Sequence, residues 1–340
     1  MIRRLKLVAL SVLLLYSGNF GVNPVLAWPG ATGQSNTSGS VFQANCAATV
    51  TVTNANSSGP GSLVQAIEDV CDGGLVTFDN DYSISHLIIH IEKSMTIDAG
   101  GHMVSSWGGM DLMNPASTVV INGLIFDGKQ TSFDGIQNYG TLTLNDCVIK
   151  DLKGNHNFVS FDSEGAVYNE GTLFINRCTI ENNMGTFGGG ITNRGVATID
   201  QSAIFGNSSG TKGGGINNYY FAKATVTRST IAQNTALFGG AIANNGNMTL
   251  YNTTISENQS SSYGGGFYLE YDVAVWNSII AGNTPSDYYE EAGRLNAQTG
   301  VIVGNSGLLL APLGDYGGPT KTYALLPGSP AINGGAAISA

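Results

Sequence analysis

Apolar residues recur through the middle of the chain in runs of only three to five positions, alternating within each run with polar ones. Leu142 and Leu144, then Cys147 and Ile149, fall on one side, and the polar residues between them fall on the other. A period of two predicts short strands with one face buried. Helix periodicity is missing from these stretches, and β-branched residues abound.

The runs return about every 25 residues. One series reads CVIKDL, CTIENN, SAIFGN, STIAQN, TTISEN, SIIAGN, and its isoleucines Ile149, Ile180, Ile204, Ile231, Ile255 and Ile280 are spaced 31, 24, 27, 24 and 25. An earlier copy, LIFDG, places Ile125 another 24 residues back. A second series, GIQNYGTLTL, AVYNEGTLFI, GITNRGVATI, GINNYYFAKATV and AIANNGNMTL, keeps the same period. Two phrases with one period mark a structural repeat. Short strands and turns at this period predict an all-β fold, a single parallel β-helix over residues 91–306 in which each repeat is one coil. With coils stacked at about 4.8 Å, eight or so would make a rod of roughly 40 Å.

Stacking places equivalent residues above one another. Asn138, Asn169, Asn193, Asn218 and Asn244 form one expected ladder, and Asn183, Asn207, Asn234, Asn258 and Asn283 another. Asparagine tolerates a left-handed backbone at a bend, and its amide bonds to the copies above and below. The glycines at 188–190, 213–215, 239–240 and 264–266 permit turns closed to other residues. The same register stacks Cys147, Cys178, Ser202, Ser229, Thr253 and Ser278 facing inward, which makes Cys147 and Cys178 neighbours, either as buried thiols or as a disulfide.

A solenoid must cover its terminal apolar layers. Residues 46–90 read as an N-terminal cap and first strands. Ser62 and Gln65 make a capping box for a short helix over 62–70, with Leu63, Ala66, Ile67 and Val70 on one face. Cys46 and Cys71 flank this segment and are a candidate disulfide. At the other end, Leu308 to Leu310, Leu325 and Leu326 need burial among clustered Gly and Pro, so residues 307–340 are expected to fold back over the last coil.

Residues 1–27 carry Arg3, Arg4 and Lys6, an apolar run from Leu7 to Tyr16 and the small-residue site Val25-Leu26-Ala27, a secretory signal pattern. Residues 28–45 read as a flexible leader. Localisation is therefore expected to be secreted or at the cell surface, with no transmembrane segment after cleavage.

VTNANSSGPGSLVQAIED, LIIHIEKSMTIDAGG and the coils that follow resemble secreted bacterial right-handed parallel β-helix proteins. The segment APLGDYGGPTKTYALLPGSPAINGG is similar to their choice-of-anchor Q domain, and the coil phrases to the repeats of chlamydial polymorphic outer membrane proteins. The resemblance covers about residues 48–335. It implies export, a right-handed β-helix and often display at the cell surface. Val64 departs from it, standing where such proteins commonly have Arg. So does the ending AINGGAAISA, where many relatives continue into an anchoring segment, which leaves release as an expectation beside display.

The whole chain carries 14 Lys and Arg against 24 Asp and Glu. Removal of residues 1–27 takes three positive charges and no acid, so 11 − 24 gives −13. Such a surface repels nucleic acid, which is excluded as a partner. Glycans or other surface components are the expected partners, bound by an adhesin-like, non-enzymatic protein. The oligomeric state is not legible.

A third expectation is a rigid structural spacer, and the rival to binding is a pectate lyase-like enzyme, which needs clustered carboxylates with a basic residue, or Ca²⁺. The acids Asp127, Asp134, Asp151, Asp162, Glu164, Glu181, Asp200 and Glu257 are scattered. Asp127 and Asp151, each two residues after an isoleucine, fall near each other with Lys150 adjacent and are the weak catalytic candidates. Asp79-Asn80-Asp81 is a possible Ca²⁺ turn without the spacing of a calcium loop; no cofactor and no metal site are otherwise expected. His86, His90, His102 and His156 show no pairing with an acid or nucleophile. Tyr263, Tyr268, Tyr271 and Trp276, beside Asp287-Tyr-Tyr-Glu290-Glu291, are the candidate ligand-binding face, since rings with polar tips suit sugars.

Overall fold

A computed structural model describes residues 46–84, 88–106, 108–129, 135–153, 165–304 and 308–335. Residues 1–27 and 28–45, together with His86, Asp134, His156, Asp162 and Glu164, lie outside the described residues.

The period of two builds each coil. Strand Thr141–Asn145 buries Leu142 and Leu144 and turns Thr141, Thr143 and Asn145 outward. Strand Val148–Lys150 buries Ile149 alone. Between two such strands the chain turns one corner through a residue in the left-handed region: Asp146, Arg177, Gln201, Arg228, Asn252 and Asn277 have φ of 55, 54, 48, 46, 50 and 44°. Among the described residues the coils pair in parallel into sheets of eleven, nine, ten and four strands. Register is kept residue for residue, Ile180 on Ile204 on Ile231 on Ile255 on Ile280. Each of these isoleucines is fully buried, which contributes about 1.5–3 kcal/mol apiece. The result is a single right-handed parallel β-helix of about ten turns, judged by the strands per sheet. Two or so of those turns precede Ile125 and carry none of the Asn and Gly phrases, so the repeat undercounts the rod.

Both asparagine columns are continuous hydrogen-bonded ladders. In the first, each Nδ2 donates to the next Oδ1 at 2.7, 2.7, 2.8 and 2.8 Å from Asn138 to Asn244. In the second the distances are 2.9, 3.0, 2.9 and 2.9 Å from Asn183 to Asn283, and Asp287 Oδ1 ends the series by accepting from Asn283 at 2.9 Å. One expectation is corrected. The ladder asparagines are not the left-handed residues; in the second column those are Asn182, Gly206, Gln233, Glu257 and Gly282, one position earlier. Asparagine is required for its amide, not for its backbone. Glycine does meet a backbone demand at Gly188, Gly213, Gly239 and Gly264, whose φ values are 59, 66, 64 and 64°.

The inward stack is a second kind of ladder. Cys178 N–H donates to Ser202 Oγ at 3.1 Å, Ser202 N–H to Ser229 Oγ at 3.1 Å and Thr253 N–H to Ser278 Oγ at 3.0 Å. Cys147 and Cys178 are free, buried thiols, and Cys147 N–H donates to Cys178 Sγ at 3.3 Å. The sulfurs thus continue a hydroxyl column.

At the start, Cys46 and Cys71 form a disulfide. The helix spans Leu63–Asp69 with Ser62 as N-cap accepting from Gln65 N–H, and Leu63, Ala66, Ile67 and Val70 are buried. Only half of the expected capping box forms, because the Gln65 side chain turns forward to Asp69 Oδ1 at 2.8 Å instead of back to Ser62.

The C-terminal segment departs from expectation more fully. Residues 308–335 do not cover the last coil; they lie along the outer face of the ten-stranded sheet. Tyr323 joins Ala203, Phe205 and Ala232 in a separate buried cluster, with Leu310 and Leu313 against it. Thr230 Oγ1 donates to Thr322 Oγ1 at 3.0 Å and Thr320 Oγ1 to the Gln201 carbonyl at 3.2 Å. The outward positions of these coils include Ala203, which follows Val148 and Thr179 in its column, and Phe205 and Ala232, which stand where earlier coils carry Lys150 and Glu181, so this is where an apolar segment finds a partner. The last coil is closed by its own short strands, with Leu295 and Val301 packed on the core.

Candidate functional site

The nine-stranded sheet is made of three-residue strands whose central residue points outward. In register these are His90, Asp111, Gln137, Tyr168, Thr192, Asn217, Ala243, Tyr268 and Tyr289. Thr192, Asn217 and Ala243 are buried although they face out. Two rows of longer side chains cover them. One row ends the four-stranded sheet as Phe187, Lys212, Phe238 and Tyr263 in register. The other follows the first asparagine ladder as Tyr139, Glu170, Arg194, Tyr219, Asn245 and Glu270.

These rows interlock into a strip of rings and charges running along the rod. Tyr139 and Tyr168 meet edge-on at 6.1 Å. The Arg194 guanidinium sits 5.5 Å from the Tyr168 ring and 4.3 Å from that of Tyr219, contacts of about 0.5–1 kcal/mol each when exposed. Phe187 reaches Tyr219 across the floor at 6.1 Å, and Lys212 Nζ reaches Glu270 Oε2 at 2.6 Å. Lys212 also lies 5.2 Å from the Tyr268 ring. Phe238 packs on Tyr268 at 5.1 Å, and Tyr289 stacks on Tyr263 at 4.4 Å and on Tyr268 at 5.9 Å. Burial, and then the charge of Glu270, raises the Tyr268 pKa, while the charge of Glu291 raises that of Tyr289.

The structure divides the four expected ligand-binding residues. Tyr263 and Tyr268 belong to the strip. Tyr271 stands on the next corner, half exposed, beside Tyr220 and Phe221. Trp276 is on the outer face of the eleven-stranded sheet, stacked on Tyr251 at 4.7 Å. Phe267 points inward and is fully buried. A contiguous stretch of a solenoid turns two corners within ten residues, so neighbours in sequence face different directions. Tyr139, Tyr168, Phe187, Arg194, Lys212, Tyr219 and Phe238 were missed for the same reason. Their signal is vertical, a recurring aromatic or cation immediately before or after the Asn and Gly phrases.

The Asp127, Lys150 and Asp151 group is also rearranged. Ile149 pairs with Phe126, not Ile125, so Asp127 lies opposite Lys150 instead of Asp151. Lys150 Nζ is 3.3 Å from Asp127 Oδ2 and 3.9 Å from Asp151 Oδ2, and Glu181 follows it in the column. Alternating charges on adjacent strands are ordinary cross-strand pairing. The lysine is spent on two carboxylates, and the acids do not face each other across a cleft. Two histidines do find acids in the adjacent coil: His90 Nδ1 lies 3.6 Å from Asp111 Oδ2 and His102 Nδ1 3.1 Å from Asp81 Oδ1. The latter carboxylate also accepts from Met103 N–H, and that bond, ahead of the histidine, lowers the Asp81 pKa. Asp79 accepts from the Tyr82 hydroxyl. The acids of the Asp79–Asp81 turn therefore bond to protein donors, and no group of three or more metal-ligating side chains converges among the described residues.

Residues 165–311 match the family model described as "Right handed beta helix region". No curated protein and no solved structure matches the chain. Among the described residues no helix is long and apolar enough to cross a membrane.

Proposed function

We propose that this chain is a non-enzymatic glycan-binding protein, exported and working outside the cell, which holds a polysaccharide along the strip on its nine-stranded sheet. The observation that carries this is the strip from Tyr139 to Tyr289, in which three groups of rings are separated by Arg194 and by the Lys212–Glu270 pair. Ring edges and phenol tips suit the alternating C–H and hydroxyl surfaces of sugars. Export is supported by the charge and hydropathy pattern of residues 1–27 and by the Cys46–Cys71 disulfide, which an oxidising compartment favours.

The charge around the strip favours a neutral or amino sugar. Lys212 is neutralised by Glu270, and Glu170, Glu290 and Glu291 lie close by. A polyanion such as pectate would meet an acidic surface, which weighs against the lyase reading together with the pairing of Lys150. The test is to incubate purified residues 28–340 with a polysaccharide panel, with Ca²⁺ and with chelator, scoring retention and new chain ends. Retention without cleavage, weakened by Tyr268→Ala and Arg194→Ala, is expected. Chain ends produced in proportion to protein would establish an enzyme instead, and silence on both counts would leave a rigid spacer.

A further inference from the structure

The coil between Ile204 and Ile231 is 27 residues long where the ones before and after it are 24. One of the three extra residues falls in the irregular strand before Lys212, and the other two fall at one corner, where GINNYYFAKATV replaces the GITNRGVATI of the coil before. They push Tyr220 and Phe221 out of the stack, 59 % and 87 % exposed. Phe221 holds φ of 66°, a left-handed conformation costly for a bulky aromatic residue and easy for glycine. The folded core gains nothing visible from that ring. Strain kept in an exposed aromatic residue points to a task outside the fold.

Two coils further on, Tyr271 projects from the same corner, 51 % exposed. Between the two aromatic projections lies a cleft of about 250 Å³ lined by Tyr220, Phe221, Asn245, Gly246, Asn247 and Tyr271. Its floor is Gly246, where a Cβ would come within 2.4 Å of the Tyr219 carbonyl and 2.5 Å of that of Ala222. Asn245 and Asn247 flank the glycine, and their backbone amides already bond to Asn218 and Ala222. Their side chains are left as donors and acceptors at the floor. Among the described residues no charged side chain lines the cleft.

We infer that this cleft is a second sugar site, which takes a single neutral pyranose between Phe221 and Tyr271 with its hydroxyls on the amides of Asn245 and Asn247. Aromatic walls cover the C–H faces of a pyranose, and amides serve as both donor and acceptor to hydroxyls. The absence of charge in the lining disfavours uronic acids, phosphates and amines. Tyr220 and Phe221 stand outside the vertical stacks, with centroids 3.9 Å apart at 52°, so they are tilted apart and not laid flat on one another. The site uses no ring of the strip: of its lining residues only Asn245 belongs to a row that borders the strip.

The experiment uses residues 28–340 and methyl glycosides of glucose, galactose and mannose as probes, with methyl glucuronide as the charged control. Binding is read by saturation-transfer NMR and calorimetry. For so small a ligand an affinity on the order of 1 mM is expected. Phe221→Gly and Tyr271→Ala should each weaken it roughly tenfold. Phe221→Gly relieves the left-handed strain and should melt no lower than the parent, which separates loss of binding from loss of fold. Tyr268→Ala, in the strip, should leave these monosaccharides bound. The inference fails if no neutral glycoside binds, if both cleft variants bind like the parent, if the glucuronide binds best, or if Tyr268→Ala is the variant that loses binding.

Discussion

Asn234 sits in the middle of the second ladder and is fully buried. Its Oδ1 accepts from Asn207 N–H at 2.9 Å and Asn207 Nδ2 at 3.0 Å, and its Nδ2 donates to the Ile204 carbonyl and Asn258 Oδ1, each at 2.9 Å. Asn234→Ala removes all four bonds but strands the groups unequally. Asn207 Nδ2 keeps the Ile180 carbonyl, and Asn258 Oδ1 keeps Asn234 N–H. Asn207 N–H keeps nothing. One wholly unsatisfied buried donor costs about 1–3 kcal/mol, and the lost bonds and the small void add to that, so a total near 4 kcal/mol is expected. The control is Asn145→Ala on the half-exposed surface ladder, where Asn145 bonds to Asn122 and Asn176 at 2.9 Å and water replaces the lost bonds. That variant should cost under about 1 kcal/mol. Guanidinium unfolding gives both values from the midpoint at constant slope. Stacked repeats need not open in one step, so native-state hydrogen exchange at the Asn207 amide reads the local effect. Equal costs for the two variants, both below about 1 kcal/mol, would refute the view that buried amide ladders hold the coils in register.

Three further outcomes follow from the same geometry. Cys46→Ser/Cys71→Ser opens a link between positions 25 residues apart and should lower stability by about 3 kcal/mol on the chain-entropy account, seen as a fall in the denaturant midpoint matched by reduction of the parent. Cys178→Ser should stay within about 1 kcal/mol, because its hydroxyl can still accept from Cys147 N–H, whereas Cys178→Val removes that acceptor and should cost about 1–3 kcal/mol in the same assay. Tyr82, whose phenol donates to Asp79, is pushed up to about 12 by that bond. An unfolded tyrosine titrates near 10, so the stability linked to this group is complete below pH 10 and lost as pH rises towards about 12, and absorbance titration should show the late step vanish in Asp79→Asn.

The coil architecture was legible because a solenoid repeats its demands. From Ile180 to Ile280 every coil places a buried isoleucine at the Ile149 position and an asparagine at the Asn183 position, so each demand is satisfied by one residue type. Legibility failed where type and position part. In LIFDG the isoleucine matches its successors by type, yet it is Phe126 that points inward, and Ile125 faces out opposite Val148. That slip of one residue moved Asp127 against the wrong partner. The burial expected of the C-terminal leucines is met only in part: Leu310, with Leu313, packs against Ala203, Phe205 and Ala232, three outward positions that lack charge, while Leu309, Leu325 and Leu326 stay exposed. The strip was hidden more deeply. Phe187 and Tyr219 are 32 positions apart in sequence and touch only because two corners bring a sheet edge and a ladder corner over the same floor.

The ladders also bear on how each ring presents itself to a ligand. With coils held at the strand spacing of about 4.8 Å, Tyr139 with Tyr168 and Phe187 with Tyr219 meet edge to face, while Tyr263 with Tyr289 at 23° and Tyr251 with Trp276 at 18° stack face to face. The stacked rings use their faces on one another and show solvent their edges and hydroxyls. A chain lying along the strip therefore meets phenol tips, the Arg194 guanidinium and the carboxylates, contacts that are many, weak and repeated. A sugar that needs a ring face must find one outside the columns. The long corner at Tyr220 and Phe221 supplies it at the cost of local strain, and the same rigidity that orders the strip keeps Tyr271 at a fixed distance across the cleft. Rigid coils thus favour avidity along the rod and selectivity only where a coil breaks the repeat.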